Sequence, residues 1–326
     1  MTMRLNAKIF VAGHTGLVGS ALVRALDKRG YRNLILKTKQ QLDLTDTLAT
    51  QDFFSYEKPD FVFMCAARVG GIMANKNFPA NFIYENLRIS ENVIHSAYTS
   101  RVSKLLFMGS ACVYPRLCPQ PMHEQYFMTR PLEPTNEAYA ISKIAAIKLC
   151  QSYNQQYGTN FISVMPNNIY GPHDNFDLHS SHVVPALLHK FIDAVSNHSP
   201  SVTIWGTGQA RREFIFVDDI ADALIFLMQN YSSSEIINVG TGEDISIANL
   251  AHLIADIVGF SGDLIFDSTK PDGMPRRLLD VSRLHELGFF HRTILSEGIK
   301  ATYDWYLTQA HSHSISTQVT SYAQSS

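Results

Sequence analysis

Lys8-Ile9-Phe10-Val11-Ala12-Gly13-His14-Thr15-Gly16-Leu17-Val18-Gly19 decides the fold. Its first five residues read as a short, almost wholly apolar strand. Leu17–Lys28 reads as a helix with apolar residues at helical spacing. Between them the glycines form G-x-x-G-x-x-G at the first strand–helix turn. Each glycine has a mechanical task. Gly13 permits a tight turn, Gly16 lets backbone approach a pyrophosphate, and Gly19 lets helix and strand pack closely. The helix N-terminus then presents free N–H groups and a partial positive charge to phosphates. A dinucleotide site is the expectation.

Outward from that turn, short apolar runs alternate with helical stretches. Strands are expected at Lys8–Ala12, Asn33–Lys37, Phe61–Ala66, Lys104–Gly109 and Phe161–Met165. Helices are expected at Leu17–Lys28, Thr47–Phe54, Pro79–Thr99 and Glu137–Tyr157. This alternation implies parallel pairing in a doubly wound α/β sheet of Rossmann type. The strands are nearly unbroken apolar runs, as strands covered on both faces should be. After Pro172 the elements shorten and mix. We read residues 1–172 as the dinucleotide-binding domain and 173–307 as mainly a smaller α/β substrate lobe, with crossings back to the first domain allowed. Residues 308–326, rich in Ser, Thr and Gln, read as a flexible tail.

Bulk properties exclude several classes. The chain has 326 residues, 45% hydrophobic and 17% charged, with a formal net charge of -2. It is long enough for two lobes. No basic cluster suggests nucleic acid, and no apolar run reaches the ~18 residues of a membrane span. Cys65, Cys112, Cys118 and Cys150 form no C-x-x-C pair, so neither a metal nor a redox dithiol is indicated. With no apolar leader before the first strand, a cytoplasmic location is expected.

Cofactor choice is readable at the second strand's end. A carboxylate there would hold a ribose 2′-hydroxyl. This chain has Lys37 and Lys39 instead, and two ammonium groups attract a 2′-phosphate, so NADP(H) is expected over NAD. Asp43 is placed to meet the adenine edge, and Ala66 is small enough for the cofactor to lie against.

The chemistry-bearing residues come next. Tyr139 and Lys143, four apart, share one helix face. Ser110 follows the fourth strand, at the sheet edge where ligands bind. Together they can donate to a carbonyl oxygen gaining negative charge, and a nearby ammonium should lower the Tyr139 pKa towards neutrality. Cys112 reads either as an acid/base thiol or as a small buried hydrophobe. His182 reads either as a proton-transfer group or as a helix-capping or surface histidine. In the second lobe Arg211-Arg212 could grip a diphosphate, and Trp205 could stack on a base or pack in the lobe. The loop 271–277, with charges of both signs, could close over a nucleotide or stay solvated.

These residues resemble the extended short-chain dehydrogenases/reductases and, within them, the GDP-L-fucose synthase family. The motifs are Gly13-His14-Thr15-Gly16, Arg68-Val69-Gly70-Gly71-Ile72, Glu133-Pro134-Thr135-Asn136-Glu137, Asn168-Ile169-Tyr170-Gly171-Pro172-His173-Asp174-Asn175-Phe176 and Pro271-Asp272-Gly273. The resemblance extends to about Leu307. It implies a Ser–Tyr–Lys set at Ser110, Tyr139 and Lys143, with acid/base residues for epimerisation at Cys112 and His182. It implies NADP(H) contacts from Gly13, Thr15, Gly16, Gly19, Lys39, Met108, Ser110, Tyr139, Lys143, Pro166, Asn168, Ile169 and His182. GDP-sugar contacts are implied from Asn168, Lys190, Trp205, Arg212 and Asp272, and a homodimer through the 79–99 and 137–157 helices. Thr15 stands where many bacterial members have Arg for the 2′-phosphate, leaving Lys37 and Lys39 to carry the NADP reading. Lys190 replaces a usual Arg and Arg277 a usual Lys. The implied reaction takes GDP-4-keto-6-deoxy-D-mannose to GDP-L-fucose by C3/C5 epimerisation and C4 reduction. The alternatives are GDP-L-colitose synthase, which acts on the 3,6-dideoxy keto sugar, an NAD-retaining nucleotide-sugar epimerase or dehydratase, and a non-enzymatic nucleotide sensor.

Overall fold

The computed structural model describes residues 3–177, 181–270 and 272–323. The first half alternates β1 (Ile9–Ala12), α1 (Leu17–Lys28), β2 (Leu34–Ile35), α2 (Thr47–Glu57), β3 (Phe61–Met64), α3 (Ile72–Asn77), α4 (Pro79–Thr99), β4 (Lys104–Met108), α5 (Glu137–Tyr157) and β5 (Phe161–Pro166). The second half runs β6 (Asn168–Tyr170), α6 (Val183–Ser196), β7 (Ser201–Trp205), β8 (Arg211–Arg212), β9 (Phe214–Phe216), α7 (Val217–Asn230), β10 (Ile237–Val239), β11 (Ile245–Ser246), α8 (Ile247–Val258), β12 (Asp263–Asp267), β13 (Arg276–Arg277), α9 (Ser282–Glu286) and α10 (Leu295–Ala323).

The main sheet has the order β10-β5-β4-β3-β1-β2, and every pair in it is parallel. Every residue of β1, β3, β4 and β5 is buried, because helices cover both faces. Side chains alternate between two cores. Phe10, Val62, Leu105 and Phe107 enter the core that holds Phe54, Val93 and Ile147 of α2, α4 and α5. Ile9, Val11, Phe63 and Leu106 enter the core that holds Leu22 and Leu26 of α1 and Leu224 of α7. From β1 the chain moves one way to β2 and the other way to β3. Strand order therefore reverses beside β1, which opens a crevice at the strands' carboxyl ends.

A third core gathers Tyr170, Leu188, Phe191, Ile204, Leu250, Ile254 and Ile299 beneath the small sheets of the second lobe. The boundary at residue 172 is a line in sequence more than in space, since α7 packs on α1 and β10 is an edge strand of the main sheet. Glu213, wholly buried, ties the seam. Its carboxylate accepts from the Thr241 and Gly242 N–H groups at 2.7 and 2.8 Å, from Leu279 N–H at 2.9 Å and from Asn167 Nδ2 at 2.9 Å. A buried carboxylate is tolerated only when its lone pairs are met in this way.

The last helix, α10, continues through the polar stretch 308–323 to Ala323. That stretch contains neither Pro nor Gly, so nothing in it stops a helix begun at Leu295. No helix among the described residues is long and apolar enough to cross a membrane.

Candidate active site

The glycine turn is built as its spacing predicts. Gly13 adopts φ +82°, and a Cβ there would lie 2.8 Å from the Ala66 backbone. A Cβ on Gly19 would overlap the Gly13 carbonyl. The loops after β1 and β3 therefore touch at the crevice. α1 starts at Gly16 with no side-chain cap and no acidic residue in its first turn. Its positive end and first-turn N–H groups face outward uncompensated, and the residues present fit a dinucleotide's phosphates. Thr15 is exposed beside this turn. Lys37 and Lys39, just beyond β2, enter no ion pair among the described residues. Asp43 is more committed: its Oδ1 accepts from Thr45 N and Oγ1 at 2.9 and 2.7 Å. Burial raises its pKa, but those two bonds and Lys39 outweigh it and leave the carboxyl below its usual range.

The candidate catalytic residues gather at the end of β4. Gly109 follows Met108, donates to Val164 O at 2.8 Å and leaves the space a Cβ would take to the Met165 side chain. Ser110 then begins a short 3₁₀ turn, Ala111–Val113, its Oγ accepting from Cys112 N–H at 3.3 Å. One turn of α5 carries Tyr139 and Lys143 to the same place. Lys143 Nζ donates to Met108 O at 2.8 Å and lies 4.8 Å over the Phe107 ring and 5.6 Å over the Tyr139 ring. Burial lowers its pKa to about 8, with Cys112 and Cys65 opposing the fall.

Here the structure corrects an expectation. The Tyr139 phenol is held above its ordinary range, not below it, by burial and by Cys112. The neighbouring ammonium, itself depressed by burial, spends a hydrogen bond on Met108 O. Cys112 is buried. Burial raises its thiol pKa, while Ser110, Arg277 and Lys143 pull it down. Ser110, Cys112, Tyr139 and Lys143 thus form one cluster. His182 stands apart as the N-cap residue of α6, beside residues 178–180, which lie outside the described ones. Solvent reaches its ring, yet the surrounding protein lowers its pKa by desolvation.

Pro166 closes β5 and pairs with Val239. Asn168 and Ile169 follow in β6, and Asn168 Nδ2 donates to Glu213 O at 2.8 Å. In the second lobe Trp205 is 59% exposed, with the ammonium groups of Lys190 and Lys270 each 5.7 Å from its ring centroid. Lys190 also donates to Thr203 O at 3.0 Å. Arg212 Nη2 reaches Asp272 O at 3.4 Å, and the Asp272 carboxylate accepts from Thr207 N and Oγ1 at 2.7 Å each. Pro271 lies outside the described residues.

Two further residues escaped the sequence reading. Arg277 registered as a charge replacing another and as part of the 271–277 loop, without a partner in Arg212, and Lys270 not at all. Strand pairing shows why Arg277 matters. β13 runs parallel to β8, with Arg276 opposite Arg211 and Arg277 opposite Arg212. Arg211 and Arg276 both pair with Asp244. The alternation of strand side chains sends Arg212 and Arg277 to the other face, where neither meets a carboxylate at ion-pair distance among the described residues. Two neighbouring guanidinium groups without an acid partner suit a diphosphate.

Fold and residue set define a nicotinamide-dinucleotide-dependent oxidoreductase. More narrowly, the chain belongs to the NAD dependent epimerase/dehydratase family, whose sequence model matches residues 9–240. It is 54% identical to GDP-L-fucose synthase 1 of Arabidopsis thaliana over 302 residues, 93% of this chain and 94% of that one. It is 35% identical to GDP-L-colitose synthase of Yersinia pseudotuberculosis, over 93% of this chain and 98% of that one. Among solved structures, a GDP-L-fucose synthetase of Naegleria fowleri bound to NADP matches with TM-score 0.89 and 30% identity, covering 95% of this chain and 97% of that one.

Proposed function

We propose that this protein is an NADPH-dependent epimerase–reductase that converts GDP-4-keto-6-deoxy-D-mannose to GDP-L-fucose. The observation that carries the reading is the meeting of Cys112 with Ser110, Tyr139 and Lys143 in one cluster. A plain ketone reductase needs the serine, tyrosine and lysine, and an ionisable thiol beside them serves carbon-acid chemistry. The 54% likeness to a fucose synthase against 35% to a colitose synthase favours a substrate with a 3-hydroxyl.

The glycine turn and the N-terminus of α1 hold the cofactor's phosphates, and Lys37 and Lys39 hold its 2′-phosphate. Lys190, Trp205, Arg212, Asp272 and Arg277 take the GDP moiety. The C4 ketone acidifies the hydrogens on C3 and C5. At neutral pH the raised thiol keeps its proton and the lowered imidazole lacks one, so Cys112 and His182 together supply one donor and one acceptor. One removes a proton, and the other returns one to the opposite face. Tyr139 and Ser110 donate to the enolate oxygen meanwhile. Bound NADPH supplies the hydride for C4. Tyr139, protonated because burial keeps its pKa high, gives its proton to the C4 oxygen. A division near residue 172, a homodimer through α4 and α5 and a cytoplasmic location complete the proposal.

Two expectations follow from the charges. Lys39→Asp should weaken NADPH binding by about tenfold or more while NADH binding changes little, since a carboxylate repels a 2′-phosphate. Equal loss of both, measured by quenching of protein fluorescence, would refute the 2′-phosphate role. Lys143, with its pKa near 8, carries its charge below that pH and loses it above. Turnover in reduction should therefore fall as pH rises through about 8. Tyr139 stays protonated across that range and is not the source of the limb. A flat profile from pH 7 to 9.5 would speak against a required ammonium.

The decisive test incubates the protein with NADPH and, separately, GDP-4-keto-6-deoxy-D-mannose and its 3-deoxy counterpart, with products identified by NMR. Stoichiometric NADPH oxidation with GDP-L-fucose as product is expected. Turnover of the 3-deoxy sugar alone, or isomerisation without NADPH consumption, would overturn the proposal.

A further inference from the structure

The loop Arg68–Ile72 has no part in the chemistry so far, yet it is firmly held. Asn86, nearly fully buried on α4, accepts from Arg68 N–H at 2.8 Å and donates to Arg68 O at 3.0 Å and to Phe82 O at 2.8 Å. Glu85 pairs with the Arg68 guanidinium at 2.5 Å. Asn75 Nδ2 donates to the carbonyls of Gly70 and Gly71 at 2.8 and 3.1 Å. What these bonds enclose is the Phe82 ring. It is 2% exposed, with the Arg68 guanidinium 5.4 Å from its centroid. A Cβ on Gly70 would come within 3.2 Å of Phe82 Cζ. The remaining side of Phe82 meets Tyr139, with ring centroids 6.2 Å apart at 85°. Tyr139 therefore neighbours both the Phe82 ring and the Lys143 ammonium, which lies 5.6 Å from the Tyr139 ring centroid.

We propose that Phe82, braced by Arg68 and by the bare backbone of Gly70, is a positioning residue that fixes where the Tyr139 phenol points. This rests on Tyr139 being the proton donor. Phe82 is a buried side chain of a 21-residue helix, locked on its far side by a guanidinium and a glycine. An aromatic ring packed edge to face against another restricts its tilt. A phenol free to tilt by an ångström loses the alignment that proton delivery requires, and such misplacement can cost about 100-fold. The glycine is explained by the same contact. Gly70 does not need an unusual φ, so what it supplies is room for the ring and for Ala74, whose Cβ would lie 3.1 Å from an added Cβ.

The test uses the full chain with three single variants and their pairwise combinations. Phe82→Leu removes the ring, and Gly70→Ala pushes it by a few tenths of an ångström. Each is assayed for kcat and KM in reduction, for NADPH binding, for melting temperature and for solvent deuterium uptake. Phe82→Leu should lower kcat about tenfold with KM and NADPH affinity within about twofold. Gly70→Ala should lower kcat about threefold in the wild-type background and not at all beside Phe82→Leu, because the shorter side chain gives way. In a Tyr139→Phe background Phe82→Leu should cost nothing further. Should Phe82→Leu fail to fold, Gly70→Ala alone and with Tyr139→Phe carries the same comparison. If Tyr139→Phe abolishes reduction while Phe82→Leu or Gly70→Ala leaves kcat unchanged, the positioning role is wrong and the proton donor stands. If Tyr139→Phe reduces normally, the donor assignment itself has failed.

Discussion

Tyr139→Phe is expected to lower the rate of C4 reduction by about 10³-fold, within the range typical for loss of a general acid, while NADPH binding and solvent exchange persist. The asymmetry follows from the cluster. During epimerisation the enolate oxygen needs hydrogen-bond donors, and Ser110 remains when the phenol goes. Losing one of two donors should slow exchange much less than it slows reduction. Reduction needs a proton to be delivered, and the other members cannot deliver it well. A serine hydroxyl is too weak an acid, and Lys143 already donates to Met108 O. The ring is retained, so its contact with Phe82 and the local packing survive. Single-turnover oxidation of NADPH, followed by absorbance, reads the loss directly. Reduction within about tenfold of the natural chain, with cofactor binding intact, would show that another group protonates the oxygen.

How much of this was legible in the sequence depended on what kind of physics each feature used. Five strands of the main sheet, their parallel pairing and the glycine turn were legible because burial on both faces writes itself as unbroken apolar runs, whereas the sixth, β10, comes from the second half of the chain and its place at the sheet edge was not. The helices Leu17–Lys28, Pro79–Thr99 and Glu137–Tyr157 match the structure at both ends. Ser110, Tyr139 and Lys143 were legible because one strand end and one helix face fix their relation. The Tyr139 pKa was misread, since spacing gives the partner but not the depth. Desolvation depends on what other segments bring, such as Phe82 from α4 and Cys112 from the next turn. The unpaired face of Arg212 and Arg277 was hidden for a similar reason. Two adjacent arginines occur twice, at 211–212 and 276–277, and only the pairing of β8 with β13 shows that Asp244 takes one of each and leaves the other. Glu213, next to two arginines, carries no sequence mark of the full burial the fold gives it at the seam between lobes. Polar composition at 308–323 describes solvation and does not by itself fix backbone geometry, which runs helical to Ala323.

The second large effect concerns carbon acidity, and it separates this proposal from a simple reductase. Cys112→Ser and His182→Asn should each suppress deuterium uptake at C3 and C5 by about 10²- to 10⁴-fold, with C4 reduction of the unepimerised ketone continuing. Cys112 is buried and packed, so serine fits its volume. Its hydroxyl keeps a donor but cannot ionise in reach of neutral pH, whatever Ser110, Arg277 and Lys143 contribute. Asparagine at 182 keeps a polar side chain at the start of α6 but has no titratable nitrogen. In both variants Ser110, Tyr139 and Lys143 are untouched, so NADPH should still be consumed, and the C4-reduced sugar with its original C3 and C5 configurations should accumulate. NMR of the product in D₂O reads configuration and label in one experiment. Unreduced exchange in both variants would remove the thiol and imidazole from the chemistry and leave the Cys112 side chain as packing. Loss in Cys112→Ser alone would keep the thiol and move the second group to another residue, because inversion at a ring carbon requires a proton from the face opposite the one it left.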